Sequence, residues 1–174
     1  MTSKMNINEV NSLNDDQFEW VFINVIELCT DAAVKVKKLR PFKGLADLCN
    51  AFHKYLDDLS LEEKLVILKL HPDLAGRLAD RGQLTRESTS EQRSAGLHEL
   101  TPEQKGIINE RNERYKIKFD FPFVICAREN KVQSIMDGLQ ARYNNTKEQE
   151  IFIGIDEVKK ICTFRIYDIV KEDY

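Results

Sequence analysis

The sequence predicts an all-α protein, a single multi-helix bundle over residues 1–174 that closes on a long carboxy-terminal helix. Three observations carry that expectation. Apolar residues recur at three- and four-residue spacing through most of the chain. Helix-start signals precede several of these runs: Ser60 with Glu63, Thr101-Pro102 with Gln104, and Thr146 with Gln149. The stretch with the strongest strand character, Phe119 to Ala127, has no partner of comparable propensity elsewhere.

Composition narrows the function classes. With 42% apolar residues, seven glycines and four prolines, the 174 residues suit one domain with a sizeable core. The 26 basic and 29 acidic residues leave a net charge of -3, so neither nucleic acid nor an anionic membrane is an expected partner. Apolar runs such as Trp20 to Ile23 and Phe121 to Ala127 fall far short of the ~20 residues a spanning helix needs. The start, Met1-Thr2-Ser3-Lys4-Met5-Asn6, lacks an apolar core followed by a cleavage site, so secretion is not expected. Cys29, Cys49, Cys126 and Cys162 are widely spaced and suit buried thiols in a reducing compartment. Three histidines, His53, His71 and His98, without a His-Glu-x-x-His pattern predict no metal centre.

Taken in order, a polar leader precedes Asn14-Asp15-Asp16, which can cap a helix with apolar positions at Phe18, Val21, Phe22, Val25, Ile26 and Cys29. A short basic helix through Ala33, Val36 and Leu39 should end before Pro41, with Lys35, Lys37, Lys38 and Arg40 as a solvated face. Gly44 opens a helix striped by Leu45, Leu48, Cys49, Phe52, Tyr55, Leu56 and Leu59, with His53 at its edge. Ser60 then caps a helix carrying Leu61, Leu65, Leu68 and Leu70. That helix delivers His71 onto a break, because Pro72 restricts the preceding residue to extended geometry and can itself begin the next helix.

Residues 80–89 read as a loop, after which Ser88, Thr89 or Ser90 can cap a short helix with Glu91 in its first turn. A carboxylate there is already favoured by the helix dipole. Thr101-Pro102-Glu103-Gln104 opens a charged helix to about Lys118, and Phe119 to Ala127 follows as a buried extended connection whose amides need partners. Asn130 can cap a helix through Val132, Ile135, Met136 and Leu139. Thr146 and Gln149 open the last one, striped by Ile151, Ile155, Val158, Cys162, Arg165 and Ile169 in alternating steps of four and three.

Arg165 stands where its neighbours on the stripe are apolar. A guanidinium stays charged, so it must snorkel, pair with a core carboxylate, or face a pocket and receive an anion; the pattern leaves these readings open. His71 suits proton transfer near neutrality, with Glu91 as the carboxylate to orient it. There is no Gly-x-Ser-x-Gly elbow, phosphate loop or dinucleotide fingerprint. A cofactor-free proton-transfer enzyme and a small helical interaction domain are the two readings.

Three stretches taken together resemble a known family: His71-Pro72-Asp73-Leu74-Ala75-Gly76-Arg77, Ser90-Glu91-Gln92-Arg93-Ser94-Ala95-Gly96-Leu97, and Phe119-Asp120-Phe121-Pro122-Phe123-Val124-Ile125. The sequence resembles the 2-oxo-4-hydroxy-4-carboxy-5-ureidoimidazoline (OHCU) decarboxylases of uric-acid degradation, over nearly its whole length. Asn112, Tyr115 and Lys118 also match the family pattern, whereas Asp120 stands where members often have glycine. The resemblance implies an all-α, commonly dimeric enzyme that binds a small ureidoimidazoline acid and releases carbon dioxide and (S)-allantoin without metal or organic cofactor. It assigns catalysis to His71 and Glu91, and substrate binding to Pro72, Ser88, Gln92, Arg165 and the backbone of Phe123, Val124, Ile125, Cys126 and Ala127. It also implies a peroxisomal setting, although Lys171-Glu172-Asp173-Tyr174 is unlike a Ser-Lys-Leu signal and leaves the cytoplasm as the alternative.

Overall fold

Helices account for the regular structure of this protein, a computed structural model that describes residues 3–173. Readings that rest on Met1, Thr2 and Tyr174 lie outside the described residues. No strand forms among the described residues; a single isolated bridge joins Met5 to Val170. The all-α expectation and the long terminal helix both hold. Internal contacts group the chain into two units, one made of residues 1–60 with 159–174 and the other of Leu61–Val158.

The first unit begins with a helix hidden in the polar leader. Asn6 caps α1 (Ile7–Ser12) reciprocally with Glu9, and Val10 is its buried residue. Asn14 caps α2 (Asp15–Val21) as expected, with Gln17 as a reciprocal partner, but the helix stops eight residues before Cys29. The cause is local. The Asn24 carbonyl accepts from Arg165 Nη1 at 2.9 Å, while the Leu28 amide donates to the Asn24 side chain at 2.7 Å, and Leu28 adopts a φ of 55°. Val25, Ile26 and Cys29 are buried all the same, held in turns.

The short basic helix is α3 (Thr30–Val36), which tightens into a 3₁₀ turn at Lys37–Leu39. Its cations are not simply solvated. Lys37 lies 3.5 Å from Glu19, and Arg40 pairs with Asp15 at 2.7 Å while stacking on Phe18. Leu39, expected on the buried side, is exposed. Gly44 opens α4 (Leu45–Asp57), burying Leu45, Leu48, Cys49, Phe52 and Leu56. A Cβ on Gly44 would stand 2.6 Å from the Asp173 carboxylate that accepts from the Leu45 amide.

In the second unit α5 (Leu61–Lys69) buries Ile67 and Leu68, whereas Leu61 is exposed. Pro72 does not begin the next helix. A turn intervenes, and α6 (Arg77–Asp80) starts at Arg77. Next come α7 (Arg86–Ser94) and α8 (Pro102–Phe119), the latter capped by Thr101 and Gln104 as the sequence predicts. Tyr115 on α8 packs its ring against Phe121 and Phe123 of the connection that follows, at centroid distances of 5.8 and 5.4 Å, and Phe119 packs against Phe121 at 6.0 Å.

Lys131, one residue past the expected Asn130, is the N-cap of α9 (Val132–Arg142); Asn130 still secures that start by accepting from the Ser134 hydroxyl. Thr146 and Gln149 cap α10 (Lys147–Ile169), which contributes to both units. Ile151, Ile155 and Val158 are buried in the second unit, Cys162 and Arg165 in the first. Gly154 lets α10 approach α5 closely: a Cβ there would meet Leu68 at 2.8 Å.

Candidate active site

The end of α5 determines how His71 is held. Its amide donates to the Leu68 carbonyl at 3.2 Å, a last tightened turn, and the Pro72 ring that follows stops the helix. The imidazole is 9% exposed, and Nδ1 lies 2.9 Å from the Ile67 carbonyl. A carbonyl only accepts, so Nδ1 carries the hydrogen and Nε2 is the basic nitrogen of the neutral ring.

The turn after His71 is fastened from two helices. Ala75, at φ 52°, donates its amide to Gln92 Oε1 at 3.0 Å, and Gln92 Nε2 reaches the Asp73 carbonyl at 3.4 Å. Asn112 Nδ2 donates to the Leu74 carbonyl at 3.0 Å, and Lys116 pairs with the Asp73 carboxylate at 3.1 Å. Gln92, expected to bind substrate, thus has both ends of its amide on this backbone. His71 and Pro72 line a cleft of about 900 Å³ whose far side comes from Asn109, Asn112 and Lys116 of α8. None of the other expected site residues lines it.

Glu91 and Ser88 sit differently from the sequence reading. Thr85 caps α7 by accepting from the Ser88 amide at 3.2 Å, so the helix starts before Ser88, Thr89 or Ser90, and Glu91 falls outside the first turn. The first-turn acid is Glu87. The helix dipole therefore does not account for Glu91, which is 6% exposed and lies 3.8 Å from Arg128 Nη2. An acid buried in mid-helix calls for another reason.

Of the expected connection from Phe119 to Ala127, Phe119 still belongs to α8 and Ala127 opens a 3₁₀ turn, and residues 121–126 between them run largely buried outside any helix or strand. Side chains supply its hydrogen bonds. The Val124 carbonyl accepts from Arg142 Nη1 at 2.7 Å, the Cys126 amide donates to Glu157 Oε1 at 3.1 Å, and the Cys126 carbonyl accepts from Asn130 Nδ2 at 2.8 Å. Arg142 is held in turn by Glu150, which is fully buried and also accepts from the Tyr115 hydroxyl at 2.6 Å and from Asn145 at 2.9 Å.

Arg165 lies in the first unit, 3% exposed, with Nη1 3.1 Å from Glu27 Oε1 and 2.9 Å from the Asn24 carbonyl. Of the three sequence readings, pairing with a core carboxylate is the one this geometry displays. Sequence reasoning missed that partner, as it missed Arg142, Glu150 and Glu157. A signal existed for Glu27, an acid inside the apolar run from Val25 to Cys29, and for Glu150 and Glu157, each beside a stripe residue of α10.

All four cysteines are buried free thiols, and burial pushes Cys49 and Cys126 up to about 11, so neither is a thiolate near neutrality. Among the described residues no group of three or more His, Cys, Asp or Glu side chains is placed to hold a metal ion, and no helix is long and apolar enough to cross a membrane.

Fold and site together define an all-helical protein with a buried histidine of fixed tautomer on a braced turn, a centre suited to moving a proton. Residues 11–167 match the family model described as OHCU decarboxylase. The 2-oxo-4-hydroxy-4-carboxy-5-ureidoimidazoline decarboxylase of Xenopus laevis is 42% identical over 165 residues, covering 95% of this chain and 94% of that protein. That of Amia calva is also 42% identical, over 96% of this chain and 95% of its own. The crystal structure of an (S)-allantoin synthase shares the fold with a TM-score of 0.78 at 20% identity, over 96% of this chain and 54% of that one. The chain belongs to the OHCU decarboxylase family.

Proposed function

We propose that this protein decarboxylates 2-oxo-4-hydroxy-4-carboxy-5-ureidoimidazoline to (S)-allantoin and carbon dioxide, with residues 1–174 acting as one catalytic domain and without metal or organic cofactor. The observation that carries this reading is the buried His71 imidazole, fixed through Nδ1, in a chain that matches the family model from residue 11 to 167. The substrate supplies its own electron sink. Its carboxylate sits on a carbon next to a C=N bond, so the electron pair of the breaking C–C bond forms a new C=C bond and the C=N pair moves onto nitrogen, which takes up a proton. Protonation of the adjacent carbon then sets the stereocentre as the substrate hydroxyl gives up its proton and becomes a carbonyl.

What the protein must add is orientation, charge stabilisation and a proton relay confined to one face. His71, its Nδ1 on the Ile67 carbonyl, serves the substrate hydroxyl through Nε2, and Glu91 is its acidic partner in catalysis. Pro72, Ser88, Gln92 and the Phe123–Ala127 backbone bind the substrate, and Arg165, its guanidinium plane set by Glu27 and Asn24, holds an anionic group of the same molecule. The active species is a homodimer.

The test uses substrate generated freshly by oxidising and hydrating urate, with allantoin followed by circular dichroism against the slow spontaneous reaction. The wild-type chain should accelerate the reaction and yield one enantiomer, and His71→Asn should remove most of the turnover with helicity unchanged. Racemic product at the spontaneous rate from the wild-type chain would defeat the assignment; near-normal rates from His71→Asn would remove the histidine from the mechanism.

A further inference from the structure

Regular secondary structure does not fix the orientation of the peptide groups in the connection between α8 and α9, because the segment belongs to no sheet and to no helix until the 3₁₀ turn at Ala127–Glu129. Side chains do it instead. The Cys126 peptides are gripped from both sides, the amide by Glu157 of α10 and the carbonyl by Asn130 at the head of α9. Two residues earlier, Arg142 grips the Val124 carbonyl, with its guanidinium 4.3 Å from the centre of the Phe123 ring. Ile125 is thus bracketed by clamped peptides. Glu157 is only 9% exposed, and a buried acceptor on a backbone amide resists rotation of that peptide, because turning the amide away leaves both groups unmatched.

We propose that Glu157 and Asn130 are positioning residues for the decarboxylation. They act through the Cys126 peptide groups and aim the Phe123–Ala127 backbone at the substrate. This rests on the proposed activity and on that backbone lining the substrate pocket. A bound molecule met by backbone groups is sensitive to small rotations of each peptide plane, since a misdirected donor weakens steeply as its angle opens. Loosening either clamp should therefore weaken substrate binding and blur the face on which the new stereocentre is protonated.

Three variants separate positioning from mere stability. Glu157→Gln keeps an acceptor oxygen for the Cys126 amide, whereas Glu157→Ala removes it. Asn130→Asp keeps the acceptor for the Ser134 hydroxyl but loses the donor to the Cys126 carbonyl. KM and the enantiomeric excess of allantoin, corrected for spontaneous product, are the readouts, because a smaller folded fraction lowers the maximum rate without moving either.

Glu157→Gln should stay within about twofold of wild type in KM, and Glu157→Ala and Asn130→Asp should each raise it roughly tenfold with a lower enantiomeric excess, the scale of one lost hydrogen bond. Unchanged KM and enantiomeric excess in both Glu157→Ala and Asn130→Asp overturn the inference; should Glu157→Ala not fold, Asn130→Asp decides it. A wild-type chain without activity overturns instead the reading on which the inference rests.

Discussion

At the scale of single residues, the Arg165–Glu27 pair ties the side chain proposed to hold the substrate anion to a buried structural contact. Both side chains are almost fully buried, so removing one leaves the other charged without its counter-ion, a loss of typically ~3–5 kcal/mol. Arg165→Met should lower stability by roughly that amount in denaturant unfolding, and adding Glu27→Gln should restore much of it. The double variant then tests function in a folded protein: raised KM marks Arg165 as a substrate ligand, and wild-type kinetics confine it to the pair. His53 gives a pH dependence. Its Nε2 lies 2.8 Å from Thr163 Oγ1, and burial holds its pKa below the ordinary histidine value of about 6.5. The unfolded chain then takes up this proton more readily than the folded one, so the stability the neutral ring contributes is complete above that value and declines as pH drops through it. His53→Gln should flatten the decline between pH 7 and 5, measured as unfolding free energy at each pH.

At the scale of elements, reciprocal caps and proline-marked stops were legible. Asn14 before Asp15 and Asp16, Thr101 with Gln104, and Thr146 with Gln149 are local patterns, and each marks its helix start correctly. The end of α2 and the start of α7 were misplaced because partners distant in sequence decide the first and a choice among adjacent hydroxyls decides the second: Arg165 diverts the Asn24 carbonyl, and Thr85 caps ahead of Ser88. Asp120 is a stop with a testable cost. It closes α8 at φ 65° and ψ 26°, a left-handed conformation that glycine adopts without penalty. The ion pair it makes with Lys69 is exposed and adds little. Asp120→Gly should therefore raise stability by about 0.5–1 kcal/mol, read from the denaturant midpoint at constant slope.

At the scale of the whole molecule, the proposed dimer sets a mass: sedimentation equilibrium at micromolar concentration should return about twice 20.2 kDa, and a stable 20.2 kDa species with full activity would remove dimerisation from the functional picture. The candidate site divides by range. His71 was legible because a proline-marked break after a helical stripe is a local signal, and Arg165 because it interrupts a periodic stripe. The Arg165–Glu27 pair, the Glu157 clamp on Cys126 and the brace from Gln92 to Ala75 join residues 17 to 138 positions apart, and no spacing rule links such pairs. The sequence by itself determined the all-helical class, most helix starts and the residues capable of chemistry, since propensity, capping and periodicity act within a few bonds along the chain. Only the tertiary structure decided which carboxylate meets which cation and how the peptides of the connection between α8 and α9 are held, because burial sets the cost of leaving a polar group unmatched, and burial exists only once the chain has folded.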